Sequence, residues 1–484
     1  MSPRSGTPGR NKNDMEEIRG KSVLIVGYGR EGRSVHAWLA KYYPALRVGI
    51  ADRNVETELV SGEKYKGATV YNGEGYLFHL DEYDTIIRSP GISPYTPEIQ
   101  KFLQHGGYMT SATNVFFSRV KGVTIGITGT KGKSTTSSLI KQILSAMYRD
   151  VRLVGNIGVP MLDSLELATE ETVFVLELSS HQLFDCRYGP HIAVMLGIVS
   201  EHLDYYPNLA SYANAKVNIT SHQARGDYLV YNPRHTFVRE LISSTRAQKI
   251  IYGDEASDTL STFLKDGWIS VRTGADVAPV LMMSDVPLLG NQENVLAAVT
   301  VSRLMNIPIP TIARAITPFQ PLPHRLEFVG EFHNVRFYND SLATIPQATI
   351  HALEALGSDV ATLLVGGLDR HIDYAELGAY LRSHPVATLI LFPDTGEKIW
   401  MSIGVVTKRA QKAHILKRFT ASSMEDAVKL AYLHTPRGKI CLLSPASASF
   451  NTFRDYADRG DQFKEWVKKI GTLPSSVSSS SLPN

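Results

Sequence analysis

An α/β protein of three successive units, each with a largely parallel sheet flanked by helices, is the fold this sequence predicts, on three observations. Short β-branched runs alternate with helical stretches along nearly the whole chain: VLIVG, LRVGIAD, TIIRS, VTIGIT, VFVLEL, AVMLGIV, DYLVYN, ATLLVGG, TLILF and ICLLSP. Such alternation folds as strand–helix–strand units, because two parallel strands need a long crossover that a helix supplies. Glycine turns follow two of these strands, near residues 27 and 129, where a helix should start. A proline-rich stretch at 307–325, IPIPTIARAITPFQPLPHR, is the strongest hinge signal.

Residues 1–19, polar and rich in Gly, Pro and charge, and 474–484, rich in serine, read as disordered tails. Between them a first unit spans 20–120, a second 121–322 and a third 323–473. The 484 residues give each unit enough chain for its own core. A formal charge of +3 with 20% charged residues offers no basic surface, so neither nucleic acid nor a membrane is an expected partner. Cys186 and Cys441 are the only cysteines and support neither a disulfide framework nor a zinc site. No run is long and apolar enough to span a bilayer, and the first residues lack a signal-peptide core, so the expected location is cytoplasmic.

The second unit opens on the most informative run, strand VTIGIT followed by Gly129-Thr130-Lys131-Gly132-Lys133-Ser134-Thr135. Glycines let the backbone turn tightly enough to aim N–H groups at an anion, and a helix start adds its positive end. Lys133 supplies a mobile cation for the β/γ-phosphates, and the Ser134 and Thr135 hydroxyls are suited to a magnesium ion. This reads as a P-loop-type ATPase unit with one departure: the usual spacing places a glycine at 127, where Ile127 stands.

The first unit reads as Rossmann-like. Strand VLIVG leads into Gly27-x-Gly29-x-x-Gly32, and Asp52 ends the next strand. This is the dinucleotide fingerprint, and alone it argues for an NAD-binding oxidoreductase. The same geometry serves any ligand with a diphosphate and a ribose, a UDP-sugar included, and a simple dehydrogenase has no use for the second unit's phosphate loop. Ser89, in the turn Ser89-Pro-Gly-Ile-Ser93, is placed to close over the same ligand.

Downstream of the phosphate loop, Glu177 ends the strand VFVLEL, where it would meet the nucleotide crevice and could hold magnesium. Ser179, Ser180, His181 and Gln182 follow at once. His202 sits between Glu201 and Asp204, where an exposed histidine on an acidic loop is the competing reading. Lys216, in YANAKVNI, reads by itself as an exposed helix lysine.

Taken together, TGTKGKST, the GNIG of 155–158, the strand ending in Glu177-Leu-Ser-Ser, His202-Leu-Asp and Tyr212-Ala-Asn-Ala-Lys216 resemble the Mur ligases, whose wider superfamily includes folylpolyglutamate synthase. In the third unit HRLEFV at 324–329, YNDSLAT at 338–344, GGLDR at 366–370, LLSPASASFNTF at 442–453 and RGDQF at 459–463 are similar to the branch of that family that uses D-glutamate. The resemblance covers about residues 20–472.

It implies three domains, Rossmann-like at both ends, that bind a UDP-sugar substrate, ATP and an amino acid in that order. The implied reaction joins D-glutamate to UDP-N-acetylmuramoyl-L-alanine through an acyl phosphate, at the expense of ATP and with two Mg2+ ions. By the same resemblance Lys133, Ser134 and Thr135 hold the ATP phosphates and the first magnesium, with Glu177 as a further ligand. His202 and Lys216, the latter as a carbamate, serve the second magnesium. Asn156, Ser179 and Gln182 face the UDP-substrate. Asn291, Asn294, Arg325 and Asp340 face the nucleoside of ATP, while Thr344, Arg370, Ser449 and Tyr456 surround the amino acid. A monomer is expected.

Four positions depart from the family's pattern. Asn291-Gln-Glu-Asn294 lacks a histidine that often stands near the adenine, and Ser447 takes the place of a usual cysteine. Tyr456 stands where some relatives have phenylalanine. Leu342 replaces the lysine of Asp-Ser-Lys-Ala-Thr and removes a cation from the amino-acid site. Arg370 suits an acidic side chain, because a guanidinium grips a carboxylate bidentately, although pairing with Asp369 or Asp373 is its competing use. The other readings are a sister ligase with a different amino acid, an NAD-binding oxidoreductase, and a silent nucleotide-binding protein.

Overall fold

The computed structural model describes residues 17–53, 67–199, 205–255, 259–286, 292–319, 323–370, 372–384, 386–404, 416–450 and 452–472. His202, Asn291 and the stretches 1–16 and 473–484 lie outside the described residues. Three sheets organise the chain, and the first two belong to one compact unit while the third forms another.

The first sheet holds β1 (Ser22–Val26), β2 (Arg47–Ala51), β3 (Thr69–Tyr71), β4 (Thr85–Arg88) and β5 (Tyr108–Thr110), in the order β3-β2-β1-β4-β5, and its pairs are parallel. All five residues of β1 are buried, as expected of a strand covered on both faces. Val26 aligns with Ala51 on one side and Arg88 on the other, so Gly27, Asp52 and Ser89 leave the sheet at the same end. The strand order reverses between β1 and β4, the position where open α/β sheets form a ligand crevice. The expected N-terminal tail is shorter than its sequence reading: Glu17 and Ile18 are buried, and Glu17 accepts hydrogen bonds from Arg187, Thr110 and Tyr188.

The second sheet holds β6 (Val123–Thr128), β7 (Val151–Gly155), β8 (Val173–Glu177), β9 (Ile192–Met195), β10 (Tyr228–Tyr231), β11 (Gln248–Tyr252), β12 (Leu260–Lys265), β13 (Trp268–Thr273) and β14 (Asp276–Met282). Its order is β14-β13-β12-β11-β10-β9-β6-β8-β7. β7 to β12 pair in parallel, but β12, β13 and β14 form an antiparallel meander that the sequence reading missed. Its signal was the Asp266-Gly267 pair, both at positive φ, as a two-residue hairpin turn requires. The proline-rich stretch read as a hinge contains a helix, Ile309–Ile316, started by Pro308 with Pro310 in its first turn. Proline is tolerated there because first-turn N–H groups have no partner in the helix. One apolar cluster runs from Val23 and Ile25 of β1 through Phe116 to Phe174 and Leu176 of β8, which explains why the first two sheets behave as one unit.

The third sheet holds β15 (Glu327–Phe332), β16 (Val335–Asn339), β17 (Val360–Gly366), β18 (Thr388–Phe392), β19 (Lys417–Thr420) and β20 (Ile440–Leu443), ordered β15-β16-β20-β17-β18-β19. Only β15 is antiparallel, joined to β16 by the positive-φ pair His333-Asn334. Leu363 and Val365 of β17 enter one core and Leu364 the other, so the sheet is covered on both faces. Asp340, Ser444, Gly367 and Pro393 all follow the carboxyl ends of its parallel strands.

Candidate active site

β6 delivers the chain into the loop 129–132, and helix Lys133–Leu144 begins directly behind it. Gly132 caps that helix at φ +84°, and a Cβ there would stand 2.1 Å from the side-chain oxygen of Asn294. Both facts require glycine. Asn294 thereby lies against the loop, and Thr136 donates to it from the helix at 3.4 Å. Lys133 folds back, its Nζ donating to the carbonyl oxygens of Gly129 at 3.0 Å and Thr130 at 2.9 Å. Thr130 itself is part of the scaffold: its N–H donates to Gly197 and its hydroxyl to Val199 at 3.0 Å. These bonds fix the shape of the loop. Lys131 and Thr135 are half-buried and Ser134 is buried at the helix start.

β8 lies beside β6, with Glu177 opposite Ile127, so its carboxylate emerges next to the phosphate loop. Glu177 is buried. Its Oε1 accepts from Asn156 Nδ2 at 2.7 Å, whereas Oε2 is buried with no hydrogen-bond partner among the described residues. A buried carboxylate oxygen without a donor is costly unless something positive meets it. With the Ser134 hydroxyl it is a donor set suited to a hard divalent cation. Asn156, expected to face the UDP-substrate, holds the Glu177 carboxylate through this bond. Among the described residues no group of three His, Cys, Asp or Glu side chains converges.

Lys216 is not an exposed helix lysine. It is buried in helix Leu209–Ser221, donates to the Gly129 carbonyl at 2.9 Å and lies 4.6 Å from the Tyr212 ring centroid. That contact puts it at the base of the phosphate loop.

In the first sheet Gly27 adopts φ +91°, and a Cβ on Gly32 would be 2.1 Å from the Gly27 carbonyl. Gly29 differs, since a Cβ there meets nothing within 4 Å. Asp52 accepts the Tyr28 N–H at 2.6 Å and Ser89 donates its hydroxyl to the Gly27 carbonyl at 2.7 Å, so both brace the turn. Ser179 and Gln182 form a reciprocal capping box on helix Ser180–Leu183. The Gln182 amide also donates to Glu31 at 2.6 Å. Burial is the largest influence on the Glu31 carboxyl and raises its pKa, against the Gln182 hydrogen bond and the charges of Arg30 and Arg88.

Three residues that tie this region together were missed. Arg30 donates to the carbonyls of Gly155 at 2.8 Å and Asn156 at 3.2 Å, joining the first glycine turn to the GNIG loop. Arg30 and Glu31 occupy the variable positions of the glycine fingerprint, which a motif reading passes over. Arg88, fully buried at the end of β4, donates to Ile92 at 2.8 Å and Tyr205 at 2.9 Å and pairs with Asp185 at 3.4 Å. A charged residue closing an apolar strand was its signal.

In the third unit Asp340 is buried, accepting from Ser444 Oγ at 2.8 Å and the Leu326 N–H at 3.2 Å. Burial pushes its pKa up to about 7 despite those bonds and the charge of Arg325. Arg325 and Thr344 are half-buried, Ser449 is buried, and Tyr456 and Arg370 are exposed. Arg370 makes no ion pair among the described residues, and its guanidinium lies 5.7 Å from the Phe450 ring centroid. Arg459 is fully buried and donates to Ser341 Oγ and O, both at 2.9 Å, and to Ser447 O at 3.0 Å. Burial lowers its pKa to about 9. It braces the loops that carry Asp340, Thr344 and Ser449.

A glycine loop between strand and helix, with a buried acid on the neighbouring strand, defines the phosphate-binding class of α/β proteins. Residues 127–302 match the Mur ligase middle domain. The chain is 34% identical over 466 residues to the UDP-N-acetylmuramoylalanine–D-glutamate ligase of Acetivibrio thermocellus, covering 95% of this chain and 98% of that one. It is 33% identical over 457 residues to the enzyme of that name from Symbiobacterium thermophilum, covering 93% and 98%. The fold matches that of the MurF ligase of Thermotoga maritima in complex with ADP, with a TM-score of 0.53 at 16% identity, covering 94% and 97%. This chain belongs to the Mur ligase family.

Proposed function

We infer that this chain is an ATP-dependent amide ligase of peptidoglycan precursor synthesis that joins D-glutamate to UDP-N-acetylmuramoyl-L-alanine. The observation that carries this reading is the correspondence, over 95% of the chain, with a ligase named for that reaction. In the proposed organisation residues 20–120 take the UDP-sugar, 121–322 take ATP and 323–473 take the amino acid, in a cytoplasmic monomer.

A carboxylate is a poor acylating agent, so amide formation begins by transferring the γ-phosphoryl of ATP to the substrate carboxylate. The resulting acyl phosphate is attacked by the amino group of D-glutamate, phosphate leaves, and the amide forms. Lys133 and the loop N–H groups would balance the charge on the transferred phosphoryl. Ser134 and Glu177 are the residues that would hold magnesium, which would neutralise phosphate charge. The unpartnered Oε2 of Glu177 supports that assignment. Lys216 as a carbamate, with His202, would serve a second ion. Asn291, Asn294, Arg325 and Asp340 are assigned to the nucleoside, and Thr344, Arg370, Ser449 and Tyr456 to D-glutamate.

ADP formation measured with UDP-N-acetylmuramoyl-L-alanine, with and without D-glutamate, L-glutamate, L-lysine or meso-diaminopimelate, tests the reaction. Release driven by another of these in preference to D-glutamate would replace the substrate assignment. The dinucleotide reading is tested by titrating NAD, NADP and the UDP-sugar, and micromolar binding of a nicotinamide cofactor without the UDP-sugar would overturn the present one.

A further inference from the structure

The GGLDR loop is fastened at both sides. Leu368 N–H donates to Ala448 at 2.8 Å, joining it to the segment that carries Ser449. The Gly367 carbonyl accepts from Asp394 N–H at 2.8 Å, Thr395 N–H at 3.1 Å and Thr395 Oγ1 at 3.0 Å, joining it to the loop after β18. Two acids lie on these joined loops: Asp369, which precedes Arg370 in the chain, and Asp394, whose N–H holds the Gly367 carbonyl. The competing use of Arg370, pairing with Asp369, is not what the structure shows. Asp369 is held by Lys398, which projects from the first turn of helix Gly396–Ile403. Asp373 instead accepts the N–H of Ala375.

We propose that Lys398 is a positioning residue for the amino-acid site, holding Asp369 so that the neighbouring guanidinium of Arg370 stays available to a substrate carboxylate. The proposal rests on the reading above, in which Arg370 grips D-glutamate. Leu342 gives it weight, because the cation missing at that position leaves the site more dependent on Arg370. Remove Lys398, and Asp369 loses this counter-charge next to Arg370 in the chain, where it competes for the guanidinium with the carboxylates of an incoming amino acid. The Lys398 ammonium is stabilised first by its hydrogen bond to Asp369, with smaller support from the charges of Asp369, Tyr374 and Asp394, consistent with a screen for both acids. Lys398 is half-exposed, so solvent weakens the pair and the effect is moderate.

The test is the steady-state KM for D-glutamate and for ATP in the full-length enzyme. Lys398→Ala is expected to raise the D-glutamate KM roughly 3- to 10-fold, the scale of a moderately exposed ion pair, with kcat and the ATP KM nearly unchanged. Lys398→Arg should restore it. The double variant Lys398→Ala/Asp369→Asn should also recover, which a structural role for Lys398 would not produce. An unchanged D-glutamate KM in Lys398→Ala, alongside a raised one in Arg370→Ala, overturns this proposal and leaves the reading of Arg370 standing. An unchanged KM in Arg370→Ala overturns that reading and this proposal with it.

Discussion

Lys133 and Lys216 donate to one and the same acceptor, the carbonyl oxygen of Gly129, at 3.0 and 2.9 Å. Two ammonium groups on one carbonyl repel each other, and the repulsion is stronger where water is excluded, as it is around buried Lys216. A polyphosphate bound at this loop would relieve it. So would conversion of Lys216 to a carbamate, which replaces a cation by an anion.

Lys133→Ala is expected to lower kcat by two or more powers of ten, about 3 kcal/mol of transition-state stabilisation, while the thermal melt stays near that of the parent. Lys133 is half-buried at the helix start, so its removal leaves no core cavity. Parent-like turnover would remove the loop from the mechanism.

Lys216→Ala should lose most activity whichever form the side chain takes. Acetate or formate distinguishes the forms, because a small carboxylate can occupy the place of a carbamate and cannot replace an ammonium. Partial recovery of ADP formation with added acetate is expected. Absence of recovery up to high acetate, with the variant folded, would leave Lys216 as a plain cation bound to Gly129.

Two glycines make opposite predictions. Gly132→Ala puts a methyl group against Asn294 at a left-handed backbone position, which alone costs about 1–2 kcal/mol. Its melting temperature should fall and its ATP affinity with it. Gly29→Ala meets nothing within 4 Å and sits at φ −71°, so its melt should match the parent. If the first turn cradles a diphosphate, the added methyl group occupies ligand space and the KM for the UDP-substrate rises alone.

The parallel framework was legible because buried strands write themselves as continuous apolar runs, as in SVLIV and VFVLE. The meander β12–β14 was not, because its strands are partly exposed and mix polar with apolar residues, leaving a single Asp-Gly turn as the signal. Among candidate site residues, the positions of Lys133 at a helix start and Glu177 at a strand end were readable from the sequence. The burial of Lys216 was not readable from its neighbours, because helix Leu209–Ser221 is covered on most sides and a buried lysine carries no periodic mark. Lys398 and Arg459 stand on other elements than those they brace, a relation that no local motif records.

Asp340 gives the last prediction, a pH dependence. Its folded-state pKa, about 7, lies above the ordinary 3.8 because burial disfavours the carboxylate more than Ser444, Leu326 and Arg325 favour it. The folded protein therefore holds this proton more tightly than the unfolded chain does. Its contribution to stability is fully present below pH 3.8 and is lost as pH rises through about 7. The slope is at most about 1.4 kcal/mol per pH unit within that window. Asp340→Asn keeps the side chain's size and removes the titration. Its melting temperature, compared with the parent, should improve steadily from pH 5 to pH 7 and then level off. A difference that stays constant across the series would mean that Asp340 is ionised throughout, with Arg325 and the Ser444 hydroxyl outweighing its burial.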